Sequence, residues 1–207
     1  MSAAPAPVPA LSGAGLPGPA ARAGRLLVAA ALAGAGLVLA VAWPAVVPLE
    51  AAWSARALRL VFGSGVGAAQ DVVWTGIGSP ALLGMRLTLL CSTGVLLVPL
   101  LLAGGALVAW LRRCPLPRVL AGVALGLAVA VAANQLRFAL LVALWRAYGE
   151  GGFVFGHQYA GSLLVIILFA LSMYLMVRLA AGLRRVATPA AASEHPAAGR
   201  NRKDALQ

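Results

Sequence analysis

Cys91, Arg137 and His157 carry side chains suited to cysteine chemistry, and each lies at one end of a long apolar segment. The opposite end of each segment carries an arginine. Arg112 lies 21 residues from Cys91, Arg118 lies 19 residues from Arg137, and Arg178 lies 21 residues from His157. At about 1.5 Å of helical rise per residue, these separations are roughly 28–31 Å, the hydrocarbon thickness of one bilayer. If the segments are transmembrane helices, the thiol, the guanidinium and the imidazole lie at one membrane surface.

This set of side chains fits nucleophilic catalysis. A thiolate attacks carbonyl carbon, an imidazole accepts the thiol proton, and an arginine stabilises a developing oxyanion. The sequence Cys91-Ser92-Thr93-Gly94 predicts that Cys91 begins a helix. There the helix dipole would favour the thiolate, and exposed backbone N–H groups could join an oxyanion hole. Taken alone, a cysteine at this position is more often a small apolar residue within a transmembrane segment.

Arg137 and His157 also have simpler explanations when each is taken alone. An arginine at the edge of an apolar stretch is costly unless it reaches the interface, pairs or serves a site, so Arg137 is either a site residue or an interfacial anchor. Asn134 shares its helical face and is a candidate to hold the guanidinium or a substrate carbonyl. Gly161, one turn after His157, indicates close approach of a neighbouring backbone. The shared depth of the three residues favours a common site.

Polar partners for the imidazole of His157 are available, but the sequence does not select among them. The candidates are Asp71, Glu150 and Gln158. Cys91 and His157 supply too few ligands for a zinc site, so we predict neither a metal nor a cofactor. Ser92 and Thr93 are grouped with Asn134 and Gly161 as candidate supporting or substrate-binding residues.

The composition is that of an integral membrane protein. The 207 residues are 62% hydrophobic and 10% charged, with a mean hydropathy of +0.94. A net charge of +11 would suit nucleic acid, but eleven of the sixteen Lys/Arg lie in segments that we predict to be cytoplasmic. They are Arg22, Arg25, Arg112, Arg113, Arg118, Arg178, Arg184, Arg185, Arg200, Arg202 and Lys203. This bias predicts cytoplasmic termini, the lipid bilayer as a partner, and no nucleic-acid partner.

We therefore predict an all-α integral membrane protein with one membrane domain at residues 22–186. Disordered cytoplasmic tails are expected at residues 1–21 and 187–207, the second containing His195, for which we predict no role. Cys114 is predicted to lie in the inner loop as a bystander, too far from Cys91 for a disulfide.

About four transmembrane helices are expected, at residues 26–47, 91–111, 119–136 and 157–178. The apolar character of the third continues to residue 145, which favours a bend near residues 134–137 over one strongly tilted helix. Residues 148–152 are predicted to form a loop.

Two further elements are predicted on the outer surface. Residues 49–62 indicate an interfacial helix with Trp53 at headgroup depth. Residues 71–77 and 83–89 flank Gly78-Ser79-Pro80 and indicate a short β-hairpin that leads directly to Cys91.

Three motifs, in this order at the outer ends of successive helices, resemble those of the exosortase/archaeosortase family of polytopic membrane cysteine enzymes: Cys91-Ser92-Thr93-Gly94, Asn134-Gln135-Leu136-Arg137 and His157-Gln158-Tyr159-Ala160-Gly161. The resemblance covers residues 83–177, which would be the catalytic core. The family's cysteine motif usually reads Cys-Ser-Gly, whereas here Thr93 precedes Gly94. The chain is also shorter than the many-helix members.

The resemblance implies an enzyme of the cell membrane that cleaves C-terminal sorting signals of exported proteins on the extracytoplasmic face. Cys91 would form a thioester, His157 would act as general base and then as general acid, and Arg137 would stabilise the oxyanion or orient the substrate. An unknown amine acceptor or water would resolve the thioester. Substrates would carry a C-terminal motif, a transmembrane helix and a basic tail. Small residues at 122–126 or 130–133 are candidates for the groove that binds this helix.

Two non-enzymatic classes are alternatives. A small membrane scaffold or assembly partner predicts that Cys91→Ala is tolerated. A transporter subunit predicts polar residues near the middle of the membrane, and the predicted helices contain almost none. That composition argues against transport.

Overall fold

The computed structural model describes residues 18–182, so most of the predicted tail 1–21 and all of the tail 187–207, with His195, lie outside the described residues. The helices are α1 (Pro19–Val41), α2 (Trp43–Phe62), α3 (Gly94–Trp110), α4 (Leu116–Phe155) and α5 (Gly161–Ala181). The strands are β1 (Val66–Ala69), β2 (Val72–Thr75) and β3 (Leu83–Arg86). Because α1 begins at Pro19, the last residues of the predicted tail are helical; proline is favoured in a first turn, where its missing N–H has no helical partner.

Helices α1, α3, α4 and α5 pack in antiparallel neighbouring pairs, and we call them the bundle. Small residues allow their backbones to approach closely. A Cβ added at Gly105 of α3 would lie 2.9 Å from the carbonyl oxygen of Ala29 on α1. One added at Gly122 of α4 would lie 2.7 Å from the carbonyl oxygen of Met176 on α5. The glycines therefore set the spacing of the bundle.

The small residues predicted to line a groove for a substrate helix lie in different surroundings. Gly122 and Gly126 face α5, where an added Cβ would meet Met176 at both positions. Ala130 and Ala133 are buried, whereas Val131 and Ala132 between them are exposed. The four buried positions pack inside the protein, and the groove for a substrate helix stays a prediction.

Within the described residues, two helical segments are long and apolar enough to cross a membrane: Pro19–Val41 and Leu116–Ala181. Helix α3 is apolar but only 17 residues long. The structure is thus mostly helical with two such segments, fewer than the four predicted. The second segment is not one straight helix, because α4 breaks at Gly149 and its long arm packs antiparallel to α5.

The course of α4 differs from the prediction in two places. The helix continues through residues 134–137, where we expected a bend, because Asn134 and Arg137 find polar partners inside the protein. The chain reverses at Gly149 alone (φ 61°), where a loop of residues 148–152 was expected. Glycine adopts this positive φ without steric cost.

Helix α2 and the three-stranded sheet form a second region, which we call the cap. The sheet is antiparallel with the order β1-β2-β3, and its pairs include Ala69 with Val72 and Trp74 with Gly84. Strands β2 and β3 confirm the predicted hairpin, while β1 was not predicted because its Val-Gly-Ala-Ala sequence lacks strand-forming alternation. The predicted interfacial helix lies within the longer α2, so α1 ends at Val41 rather than at residue 47.

The cap packs on the half of α4 that carries Arg137. Phe138, Leu141 and Val142 of α4 share one apolar core with α2 and the sheet. The indole N–H of Trp145 donates to the carbonyl of Ala81 in the β2–β3 connection (3.1 Å). These contacts fix the hairpin beside the end of α3 that carries Cys91.

The opposite end of the bundle is basic. Arg25 of α1 donates to the carbonyl of Leu111 (2.7 Å) and also to that of Cys114, just beyond the end of α3. Such donors stabilise the unpaired carbonyls at a helix C-terminus. Cys114 is a free cysteine at this end, and Cys91 is a free cysteine at the other end of α3.

Candidate functional site

Cys91 lies in a single 3₁₀ turn, Leu89–Cys91, that connects the hairpin to α3. Helix α3 begins only at Gly94, so the prediction that Cys91 starts the helix is wrong by three residues. Ser92 and Thr93 link the turn to the helix, and all three side chains of residues 91–93 are buried. The turn holds the sulfur at the junction of the cap and the bundle.

The backbone N–H groups around Cys91 are already used. Their acceptors, in order from residue 91 to residue 94, are the carbonyls of Thr88 and Leu89, a carboxylate oxygen of Glu50, and the hydroxyl of Ser92. The expectation that these N–H groups are free for an oxyanion hole is therefore wrong. Satisfied backbone donors rigidify the turn, and any oxyanion donor must come from another element.

His157 reaches the sulfur from a π-helical turn, Gly156–Ala160, directly before α5. Its Nε2 lies 3.4 Å from Sγ of Cys91. With the proton on sulfur, the thiol donates to Nε2; after proton transfer, Nε2–H donates to the thiolate. The half-buried imidazole also lies beside the Phe153 ring, at 5.8 Å between centroids. π-Helical turns are frequent at functional sites.

Arg137 approaches the same sulfur from α4. Its Nη2 lies 3.9 Å from Sγ of Cys91, and its Nη1 donates to the carbonyl of Leu90 (3.4 Å). The guanidinium is buried, with 6% of the residue exposed, and its Nε has no hydrogen-bond partner among the described residues. A buried cation with an unpaired donor beside a thiol is suited to binding an anionic oxygen.

Gly161 makes room for this arginine. A Cβ at position 161 would lie 2.7 Å from the carbonyl oxygen of Gly156 and 3.3 Å from Cγ of Arg137. The close approach predicted for Gly161 is thus to an arginine side chain as well as to backbone. Glycine at this position lets α5 begin against the guanidinium stem.

Asn134 holds the cysteine turn. Its Nδ2 lies 2.9 Å from Oγ1 of Thr93, 3.3 Å from the carbonyl oxygen of Cys91 and 3.4 Å from Oε1 of Glu50. The sequence suggested Asn134 as a partner for the guanidinium of Arg137 or for a substrate. The structure instead directs its amide to the backbone and side chains around the sulfur.

Glu50 of α2 is a site residue that the sequence analysis missed. Its Oε2 accepts from the Ser92 hydroxyl and its Oε1 accepts from the Thr93 N–H, both at 2.5 Å. One carboxylate therefore ties the cap to both residues that follow Cys91. The signal in the sequence was slight: a single acid within an apolar helix, in a chain with only five Asp and Glu.

The predicted partners of His157 lie in different surroundings. Asp71 pairs with Arg86 (2.7 Å), and this hydrogen bond lowers the pKa of Asp71 below its ordinary value. Glu150 is exposed, and Gln158 lines the same cavity as the imidazole. Asp71 is thus occupied in the hairpin, and Gln158 is the candidate that shares the site.

Cys91 and His157 open into a cavity of about 380 Å³. Residues of β3 form one wall, and Phe138, Leu141 and Phe153 supply apolar surface. A larger cavity of about 590 Å³ lies between the start of α2 and residues 86–89, and none of Cys91, Arg137 and His157 lines it. The smaller cavity is therefore the one that Cys91 and His157 line, whereas Arg137 contacts the sulfur without lining either cavity.

No three His, Cys, Asp or Glu side chains within residues 18–182 are grouped so that they could hold a metal ion. The reactive groups that meet at the site are a thiol, an imidazole in contact with it, and a buried guanidinium. No protein-family model, curated protein or solved structure matches the chain.

Proposed function

We propose that the protein is a membrane cysteine peptidase or transpeptidase of the exosortase/archaeosortase type. It would cleave C-terminal sorting signals of exported proteins on the extracytoplasmic face of the cell membrane. The observation that carries the proposal is the convergence on one sulfur of Nε2 of His157 at 3.4 Å and Nη2 of Arg137 at 3.9 Å. The three motifs that resemble this family contain these same residues. The cavity gives a peptide access to the sulfur.

In the proposed reaction, the thiol proton of Cys91 passes to Nε2 of His157, and the thiolate attacks the scissile carbonyl carbon. The resulting oxyanion is stabilised by the guanidinium of Arg137, since the nearby backbone N–H groups have other acceptors. Collapse of this intermediate breaks the C–N bond, and His157 returns the proton to the leaving amine. An amine or water then attacks the thioester and releases the thiol.

The proposed membrane arrangement has four crossings, by α1, α3, the long arm of α4, and α5, with both termini in the cytoplasm. It is supported by the antiparallel packing of these helices and by the basic cluster at the end opposite Cys91. An impermeant maleimide applied to intact cells should leave Cys114 unlabelled until the cells are permeabilised. Labelling of Cys114 in intact cells would overturn this arrangement.

The function is tested by comparing Cys91→Ala with Cys114→Ala. The substrate assayed is an exported protein of the same genome whose C-terminus carries a short motif, an apolar helix and an arginine cluster. Cys91→Ala should abolish its processing while the amount of enzyme in the membrane stays unchanged, because no other thiol lies at this surface. Cys114→Ala removes a cysteine sulfur beyond the C-terminal end of α3, and this variant should process the substrate normally. Normal processing by Cys91→Ala would reject the enzyme in favour of a scaffold.

A further inference from the structure

We propose that the free edge of β3 binds the substrate peptide as an added antiparallel or parallel strand and so delivers its carbonyl to Cys91. This inference rests on the proposed function for the identity of the ligand, an extended peptide segment next to the scissile bond. Strand addition uses backbone hydrogen bonds for affinity and leaves alternate side chains for specificity.

The strand register shows which backbone groups of β3 face outward. The N–H of Leu87 donates to the carbonyl of Asp71 (2.7 Å), so this opposed pair is hydrogen-bonded. Hydrogen-bonded and non-hydrogen-bonded pairs alternate along an antiparallel ladder. Met85 therefore bonds to β2, whereas Gly84 and Arg86 direct their N–H and C=O groups away from it. In the sheet order β1-β2-β3, this outer edge has no strand partner among the described residues.

Strand β3 forms one wall of the reactive cavity. Gly84, Met85 and Arg86 line it together with Cys91 and His157, so the wall includes both residues whose backbone groups face outward. A peptide paired with Gly84 and Arg86 would lie along the wall of the cavity that holds the candidate nucleophile and base. Unpaired strand edges are ready templates for a further strand.

At Gly84 the backbone of β3 is exposed, because glycine has no side chain to cover it. The indole of Trp74 occupies the space a side chain would need, because a Cβ added at position 84 would lie 2.6 Å from the ring. Glycine thus permits Trp74 to brace the strand while no side chain screens the edge. At the opposite edge of the sheet, by contrast, Nε of Arg59 donates to the carbonyl of Val66 (2.7 Å).

The remaining walls define the class of peptide. Phe138, Leu141 and Phe153 face the 380 Å³ cavity, whose size suits a few small residues rather than bulky ones. Because side chains of a strand alternate, every second side chain near the scissile bond meets this apolar surface. The preferred substrate is an extended segment with small or apolar residues at those positions.

The test uses two affinity reagents on the Cys114→Ala protein, in which Cys91 is the only cysteine. Acetyl-tetraalanyl chloromethyl ketone and acetyl-alanyl chloromethyl ketone carry the same reactive group but differ in the length of backbone available for pairing. The longer reagent should alkylate Cys91 about tenfold faster or more, which corresponds to one or two hydrogen bonds gained. Equal rates would overturn the strand-addition proposal.

A scan of single N-methyl groups along the tetraalanyl reagent tests the strand geometry on the unaltered edge. An N-methyl group removes one donor, so the rate should fall about tenfold at alternate positions and change little at those between them. A decline without this period of two would contradict the proposal.

A proline at each sheet edge provides the complementary test on the protein. Arg86→Pro removes an outward N–H beside the cavity, and Ala68→Pro lies on β1 at the far edge of the sheet. The rate ratio of the two reagents should fall towards one in Arg86→Pro and persist in Ala68→Pro. If the ratio persists in both, the edge does not bind the peptide. If Cys91→Ala still processes exported proteins, the proposed function fails instead, whatever these ratios are.

Discussion

The bundle and the cap hold their shapes by different means. In the bundle, glycines bring helices together and large apolar side chains such as Leu163 and Ile166 point outward, exposed by 60% and 65%. In the cap, an apolar core is combined with polar ties, among them the Asp71–Arg86 pair and the bond from Arg59 to Val66. The outward face of the bundle suits lipid, whereas the polar ties of the cap suit an aqueous interface.

The candidate site takes a different contribution from each region. Helix α4 of the bundle supplies Arg137, and the π-helical turn that leads into α5 supplies His157; both contact the sulfur of Cys91. The cap supplies Glu50, which contacts the two residues after it, and the strand edge beside it. We therefore expect substitutions in the bundle side of the site to act on the chemistry, and those in the cap to act through the position of the cysteine turn.

Among substitutions of the residues around Cys91, the largest effect is expected for Arg137→Lys. The rate of substrate cleavage should fall by about 10²–10³, the scale of one lost oxyanion donor, because a flexible ammonium cannot reproduce the planar guanidinium. Raising the pH should not restore the rate, because added base cannot supply the planar pair of donors that lysine lacks. Arg146→Lys, at an exposed position on the same helix, is the matched control and should cleave at nearly the wild-type rate. Wild-type cleavage by Arg137→Lys would make Arg137 an interfacial anchor.

A smaller loss, of roughly 10- to 100-fold, is expected for Gly161→Ala. The new Cβ would lie 2.7 Å from the carbonyl oxygen of Gly156 and within 3.4 Å of the Arg137 stem, so the backbone must shift and the arginine be displaced by a few tenths of an ångström. Gly151→Ala places its Cβ in open space and serves as the control. The measurement is the cleavage rate of each variant at equal enzyme concentration. Equal rates would show that Arg137 keeps its position beside the sulfur despite the added Cβ.

Glu50→Ala tests the cap side of the site. It leaves the Thr93 N–H and the Ser92 hydroxyl without their carboxylate partner, which should cost about 1–3 kcal/mol of stability and about tenfold in cleavage rate. The thermal midpoint and the cleavage rate in detergent should fall together. Glu150→Ala removes an exposed carboxylate and should change neither. An unchanged midpoint in Glu50→Ala would mean that this carboxylate does not tie the cap to the cysteine turn.

The smallest expected effect lies in the hairpin and depends on pH. Arg86 lowers the pKa of Asp71 below its ordinary value of 3.8, so the pair stabilises the fold above that pH and ceases to do so as acid protonates the carboxylate. Relative to Asp71→Asn, wild-type protein should therefore be slightly more stable at pH 6 and equally stable near pH 2. Thermal midpoints measured at both pH values check this, and an equal difference at both would contradict the pairing.

The sequence could predict that Cys91, Arg137 and His157 lie close together, because arginines mark one end of each apolar segment and helical rise places the other. The β2–β3 hairpin was also predictable, since Gly78-Ser79-Pro80 breaks two apolar runs. Both are local features, in which spacing and turn chemistry alone determine the outcome.

The contacts that complete the site depend on tertiary packing and could not be predicted in this way. Glu50 resembles a surface charge on an interfacial helix until the cap is folded onto Thr93. The bend expected near Asn134 does not form, because that amide finds acceptors across the junction that periodicity does not reveal. The backbone N–H groups of residues 91–94 were expected to be free for an oxyanion hole, because the sequence does not show which groups accept hydrogen bonds from them.

Trapping the acyl-enzyme with hydroxylamine tests whether Cys91 attacks a peptide carbonyl and holds it as a thioester. Hydroxylamine added during cleavage should convert the new C-terminus of the substrate to a hydroxamate, detected by mass spectrometry. We expect this product from wild-type protein and from Cys114→Ala, and none from Cys91→Ala. Cleavage that yields only a carboxylate at saturating hydroxylamine, or any cleavage by Cys91→Ala, would contradict it.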